Sequence, residues 1–242
     1  MPSFAVILPA AGKSSRFRDP FEKKPFVSLE GRPVWACAAE PFVGRSDVRQ
    51  TLLVIAPEDR QHFQEQFATQ AAMLGIELVE GGAERSDSVA AALARIGPTI
   101  DFVAIHDAAR PCLTSESIDA VFAAAIQTGA ALLATPIRGT IKRVGKDQTV
   151  VETLSREGLW EAQTPQVFAR QLLLDAYARR GALAATDDAQ LVERLGHAVT
   201  IVAGSPLNLK VTTQEDLRMA AAVLRSQSSV GSGLSIFTLQ GS

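Results

Sequence analysis

Four short runs of this chain carry residue types suited to gripping a polyanion, and the first lies at its start. The apolar stretch from Phe4 to Leu8 breaks into Pro9-Ala10-Ala11-Gly12-Lys13, with Arg16 and Lys24 soon after. A turn with so little side-chain bulk lets backbone N–H groups approach an anion closely, while Lys13, Arg16 and Lys24 add positive charge. That combination suits a nucleoside triphosphate. Two better-known phosphate loops are excluded. A Walker A loop needs a glycine five positions before Gly12, where Ile7 stands, and a dinucleotide fingerprint needs glycines where Ser14 and Phe17 stand.

The other three runs fall where strands should end. Gly81-Gly82-Ala83-Glu84-Arg85-Ser86-Asp87-Ser88 precedes a helical pattern. Its glycines permit close approach of a planar base, and Arg85 and Ser88 can read the base edge or the ribose, although glycine turns capped by Ser or Asp open many helices. His106-Asp107-Ala108-Ala109-Arg110-Pro111 follows the apolar 102–105 run. A carboxylate at the carboxyl end of a parallel strand sits at the ligand crevice of an open sheet, where Asp107 can hold Mg²⁺ against a triphosphate; a turn Asp can equally bond its own backbone. Last comes Asn208-Leu209-Lys210-Val211-Thr212, in which Lys210 can aim an ammonium into the same crevice.

The elements that must position these runs alternate. Short β-rich stretches at 4–8, 51–56, 76–79, 102–105, 131–135 and 199–202 are separated by helical periods at 33–43, 58–73, 86–96, 115–128, 169–179 and 214–225. This pattern predicts an α/β fold with a mostly parallel sheet, one domain over 1–225. Pro33 suits a first helical position, and Thr114 or Ser115 an N-cap. One segment departs from the pattern. Alternating residues flank Gly145-Lys146-Asp147-Gln148 and predict a hairpin arm over about 137–155, seeking either its own domain or a second subunit to pack on. The Ser- and Gly-rich 226–242 reads as a flexible tail.

With 242 residues, 47% hydrophobic and 21% charged, the chain has the profile of a soluble globular protein. A net charge of −2 gives no sign of nucleic-acid binding, and no apolar run approaches a membrane span or a signal peptide. Cys37 and Cys112 are far apart and read as packed thiols, which agrees with a cytoplasmic protein and, with only three histidines, against a zinc site.

Taken together and in order, Pro9-Ala10-Ala11-Gly12 with Arg16 and Lys24, Gly81-Gly82 with Arg85 and Ser88, His106 to Pro111, Thr164-Pro165-Gln166 and Asn208-x-Lys210-Val211-Thr212 resemble the 2-C-methyl-D-erythritol 4-phosphate cytidylyltransferases of non-mevalonate isoprenoid synthesis. The resemblance spans about residues 4–224. It implies a Rossmann-like nucleotidyltransferase domain, a homodimer with interlocked arms, Mg²⁺ as cofactor, and CTP and methylerythritol phosphate as substrates. By position, Ala10, Ala11, Gly12 and Lys13 would line the triphosphate loop, and Gly82, Arg85 and Ser88 the cytidine pocket. Arg16, Lys24 and Lys210 would be catalytic, with Asp107 at the metal. Arg110, Thr140, Arg156 and Thr164 match positions that recognise methylerythritol phosphate, and Thr140 and Arg156, on the arm, would serve the partner's site. Ser14 stands where the family often has a second glycine, and Ala83 and Gly139 where it often has acidic residues.

Three rivals remain open. A ribitol 5-phosphate cytidylyltransferase would use the same scaffold, with Ala109 before Arg110 leaning against it. A non-catalytic nucleotide-binding module is disfavoured by the joint presence of Arg16, Lys24, Asp107 and Lys210. A nicotinamide oxidoreductase is disfavoured by the missing glycine fingerprint.

Overall fold

A computed structural model describes residues 1–12, 17, 23–181 and 185–233, the last six by backbone alone. In chain order the elements are β1 (Phe4–Pro9), β2 (Ser28–Leu29), β3 (Arg32–Pro33), α1 (Val34–Ala39), β4 (Val48–Ile55), α2 (Arg60–Gln66), α3 (Ala68–Met73), β5 (Ile76–Glu80), α4 (Arg85–Leu93), β6 (Phe102–Ile105), α5 (Ser115–Thr128) and β7 (Ala130–Pro136). There follow β8 (Ile141–Val144), β9 (Val150–Leu154), β10 (Trp160–Ala169), α6 (Arg170–Ala178), α7 (Ala189–Glu193), β11 (Thr200–Ala203) and α8 (Gln214–Gly233).

Seven strands form one sheet in the order β11-β7-β10-β6-β1-β4-β5. All run parallel except β10, which is antiparallel to both its neighbours. Alternation along β1 shows how the sheet is covered on both faces. Phe4, Val6 and Leu8 join Trp35 of α1, Phe63 of α2 and Phe122 of α5 in one core. Ala5 and Ile7 face the other way, against Val89 of α4 and Leu173 and Tyr177 of α6. Burial on both faces is why the central strands read as unbroken apolar runs. A third, smaller core holds Cys37, Cys112, Val211 and Ala220 beneath α8. Both thiols are free and buried, and burial pushes them up to about 11 for Cys37 and about 12 for Cys112. Among the described residues no helix is long and apolar enough to cross a membrane.

Several elements differ from the expectation for identifiable reasons. The 58–73 helix is two helices, because Phe67 leaves helical geometry (φ −128°) while its ring stacks on Phe26 and meets Phe63. Pro33 is not the first helical residue but the extended one before it, at the end of β3. Thr114 is the N-cap of α5, its hydroxyl accepting from the Ser117 N–H. Strand β10 has no counterpart among the expected strands because Pro165 and the polar Gln163, Thr164 and Gln166 interrupt it, and the β10–β7 register skips between Ala162 and Gln166. The short α7 is likewise absent from the expected helices. The helix predicted to end at 225 continues to Gly233, within the stretch read as tail; residues 234–242 lie outside the described residues.

The hairpin forms as predicted, β8 against β9, away from the main sheet. Its strands expose Val144, Val150 and Val151, and Leu159 and Trp160 beside it are also exposed.

The core's importance is directly measurable. Leu53 is fully buried in β4, and Leu53→Ala should destabilise the chain by about 3 kcal/mol in urea unfolding. A loss below about 1 kcal/mol would show that this region is not the rigid core described.

Candidate active site

Three parallel strands deliver their carboxyl ends to one rim: β1 leads to Ala10, β5 to Gly81 and β6 to Asp107. The chain builds outward from β1 through β4 to β5, then returns to lay β6 on the other side of β1. That change of direction opens a crevice, the expected ligand position in an open sheet. A cleft of about 810 Å³ lies there, and Ala10, Ala11, Gly12, Lys24, Gly82, Arg85, Ser88, Asp107 and Lys210 all border it. Four runs spread from one end of the sequence to the other thus meet in one place. Lys13 and Arg16 lie outside the described residues.

The glycine wall is shaped by steric need. A Cβ on Gly81 would fall 2.5 Å from Ser88 Oγ, and one on Gly82 2.4 Å from Asp87 Cβ. Neither position tolerates a side chain without movement. Ser88 Oγ accepts from the Gly82 N–H and donates to the Glu84 carbonyl, both at 3.2 Å. Glu84 and Asp87 complete a reciprocal capping box at the start of α4. Ser88, read from sequence as a reader of base or ribose, borders the cleft and is largely buried, and its hydroxyl also closes the loop. At Gly12, by contrast, no atom of the described residues lies within 4 Å of where a Cβ would be.

Asp107 is the electrostatic centre. Lys210 Nζ lies 2.7 Å from its carboxylate, Arg110 Nε 3.6 Å and Arg85 Nη2 4.0 Å. Burial alone would raise its pKa, but Lys210, Arg85 and Arg110 overcome this and hold it well below the usual carboxylate range. Behind it, the Thr164 hydroxyl accepts from the Asp107 N–H at 3.0 Å and lies 3.0 Å from His106 Nδ1. His106 Nε2 meets the Arg110 carbonyl, also at 3.0 Å. With the hydroxyl donating to Nδ1 and Nε2–H donating to the carbonyl, the ring is neutral and fully satisfied. Arg110 is buried, its Nη1 donating to the Asn208 carbonyl at 2.7 Å, which fixes the turn before Lys210. Thr164 and Arg110 thus brace Asp107 from behind. Thr140 and Arg156 lie exposed at the ends of the hairpin strands and do not border this cleft; the Arg156 guanidinium donates to the Arg138 carbonyl.

Lys24 follows an anchored residue. Lys23 Nζ pairs with Glu58 at 3.1 Å and with the buried Asp59 at 2.8 Å, just beyond β4. Sequence reasoning missed this anchor. It also missed Asp188, buried and 2.6 Å from Arg85. The adjacent pair Asp187-Asp188 in a mostly apolar stretch was the available signal, but its partner lies 103 residues away.

Among the described residues no group of three or more His, Cys, Asp or Glu could hold a metal. A cation bound here would take one carboxylate, Asp107, and most of its ligands from phosphate oxygens, a donor set that suits Mg²⁺.

A family model for 2-C-methyl-D-erythritol 4-phosphate cytidylyltransferase matches residues 4–226. The chain belongs to that family. It is 46% identical to the cytidylyltransferase of Rhodopirellula baltica over 92% of this chain and 95% of the relative, and 42% identical to that of Pelotomaculum thermopropionicum over 94% and 96%. The crystal structure of the Thermus thermophilus enzyme aligns with a TM-score of 0.76 at 31% identity, covering 93% of this chain and all of that one. Against the family pattern, Ala83 borders the cleft and Gly139 lies exposed before the hairpin, so both departures sit on open surface.

The buried imidazole makes this cytidylyltransferase site pH-sensitive. Burial pushes His106 down to about 4 from 6.5, so the folded state binds its proton less readily than the unfolded state. The resulting stability is complete above about pH 6.5 and is lost as pH falls toward 4, about 3 kcal/mol in all. Unfolding free energy should therefore decline between about pH 6.5 and about pH 4.5 in the wild type. In His106→Gln that decline should be much shallower; equal slopes would contradict the assignment.

Proposed function

We propose that this chain transfers CMP from CTP to 2-C-methyl-D-erythritol 4-phosphate, releasing pyrophosphate, and the observation carrying the proposal is Lys24, Lys210 and Arg85 ringing one glycine-walled cleft in a chain of this family. The phosphate of the polyol attacks the α-phosphorus of CTP; a new P–O bond forms as the bond to the bridging β-phosphate oxygen breaks. The second pKa of a phosphate monoester is about 6, so the nucleophile is already largely ionised at neutral pH. No general base is needed. The task is to bring polyanions together and to stabilise charge at the α-phosphoryl group.

In this reading the backbone at Ala10, Ala11 and Gly12 cradles the triphosphate, with the charges of Lys13 and Arg16 next in sequence. Lys24 and Lys210 supply positive charge to the reacting phosphates, and Arg16 joins them there. Gly82 and the loop pinned by Ser88 admit the base. Asp107 would hold Mg²⁺, which when bound offsets the triphosphate charge. Arg110 and Thr164 support the polyol-phosphate side of the site through Asp107. A second copy of the chain completes that side with Thr140 and Arg156 from its arm, whose exposed Val150, Val151 and Trp160 suit burial against another subunit. The fitting location is the cytoplasm, where CTP is available.

The deciding assay is pyrophosphate release with Mg²⁺ and CTP, offering methylerythritol phosphate and ribitol 5-phosphate separately. Release with the former alone is expected; release with ribitol 5-phosphate alone would move the chain to another polyol. Lys24→Ala should lower turnover at least about a hundredfold, and near-normal activity in that variant would remove Lys24 from the chemistry.

Arm exchange has its own test. If Arg156 serves the partner's cleft, Lys24→Ala and Arg156→Ala are each inactive, yet mixed dimers carry one intact site. Co-refolding them in equal amounts should restore about a quarter of wild-type activity. No recovery in dimers shown to be mixed would place Arg156 in its own subunit's site, and wild-type activity in Arg156→Ala alone would place it in none.

A further inference from the structure

Arg85 stands between two carboxylates: Asp188 Oδ2 is 2.6 Å from its Nη2, while Asp107 is 4.0 Å away. Asp188 is held with unusual completeness. Only 1% of it is exposed, at the start of α7. Its Oδ1 accepts the Tyr177 hydroxyl at 2.5 Å. The backbone N–H groups of Asp188 and Ala189 both donate to Gln166 Oε1, at 3.2 and 3.0 Å, and the Gln166 amide donates to Asp187 at 3.0 Å. The Arg85 contact therefore rests on α4, α6, α7 and β10 together. Burial and then the Asp188 charge hold the Tyr177 phenol far above its ordinary range, which keeps it a donor.

We propose that Asp188 is a positioning residue for nucleotide binding: it fixes the Arg85 guanidinium in the cleft wall and, by holding it off Asp107, leaves that carboxylate to Lys210. The proposal rests on the cytidylyltransferase reading. A guanidinium is a planar fork whose direction is set by its carboxylate partner. With the Asp188 charge removed, Asp107 becomes the nearest carboxylate to Arg85, and the guanidinium turns toward it. Arg85 then leaves the position from which it meets the nucleotide and competes with Lys210 for one carboxylate. A carboxylate that merely stabilised the fold would have no reason to act on one substrate.

The test uses the full chain carrying Asp188→Asn, Tyr177→Phe, Arg85→Ala and the Arg85→Ala/Asp188→Asn pair. It reads calorimetric CTP affinity, KM for CTP, KM for methylerythritol phosphate and kcat. Asp188→Asn should weaken CTP binding at least about tenfold, the scale of a lost charged hydrogen bond, and raise its KM alike. KM for the polyol phosphate should move by less than about twofold, because the Arg85 contact lies on the nucleotide side. Tyr177→Phe should shift CTP affinity in the same direction by about threefold, the effect of one neutral hydrogen bond on its orientation. The double variant should bind CTP no worse than Arg85→Ala alone, since Asp188 acts only through Arg85. A folded Asp188→Asn with wild-type CTP affinity overturns the proposal, as does a double variant that loses the product of both single effects. Should Asp188→Asn fail to fold, unchanged CTP affinity in Tyr177→Phe overturns it instead. Calorimetry separates this from the transfer reading: a wild type that binds CTP yet releases no pyrophosphate sinks the latter alone.

Discussion

A buried carboxylate in a ring of cations organises this site. Asp107 lies at the end of a central strand, nearly excluded from solvent, with Lys210, Arg110 and Arg85 within 4.0 Å. A lone buried carboxylate would be costly, and so would three converging cations. Each is tolerable because of the other. The result is positive charge concentrated at a crevice mouth, where a polyanionic ligand gains most, without an uncompensated charge in the ligand-free protein. The Asp107 backbone is tied to Thr164 and the Arg110 side chain to Asn208, so the ring is rigid on its buried side. Its most exposed member is Lys210.

Much of this was legible because chemistry and strand ends coincide in sequence. Each of the four polar runs follows or adjoins an apolar strand, and the α/β alternation was strong enough to place those strands at one rim. Positions 102–105 and 115–128 were read as β6 and α5 to the residue. What escaped has a common cause. Strand β10 is polar where it passes the site: Gln163, Thr164 and Gln166 are all buried, and Pro165 sits among them. A pattern reader sees a loop there. The structure instead uses those polar groups to hydrogen-bond Ser205, His106 and the start of α7. Local rules fail where a strand is spent on holding other groups rather than on its own burial.

Contacts distant in sequence were invisible for a different reason. Nothing near Arg85 announces Asp188, and nothing near Lys23 announces Asp59; both pairings are made by the tertiary fold. The resemblance to a family proposes which residues meet the ligands, but is silent on which hold them in place. Ser88 illustrates the gap. Its place in the motif suggested contact with base or ribose, whereas its hydroxyl closes the glycine loop by binding Gly82 and Glu84. The two roles are compatible, since Ser88 also borders the cleft.

Strand β10 also joins the cleft to the arm. It begins at Trp160, exposed beside the hairpin, passes Thr164 beneath Asp107, and reaches Gln166 under Asp188. It pairs β7 alone at Trp160–Ala162, leaves the ladder at 163–165, and is flanked by both β6 and β7 from Gln166 onward. The arm end is the least buried part of the strand and the site end the most. The interruption falls at Gln163, Thr164 and Pro165, so the polar groups that brace Asp107 sit where the strand is free of its ladder. An otherwise parallel sheet gains from this single reversed strand a connection that a helical crossover could not provide: backbone running directly from beside the hairpin to the floor of the cleft.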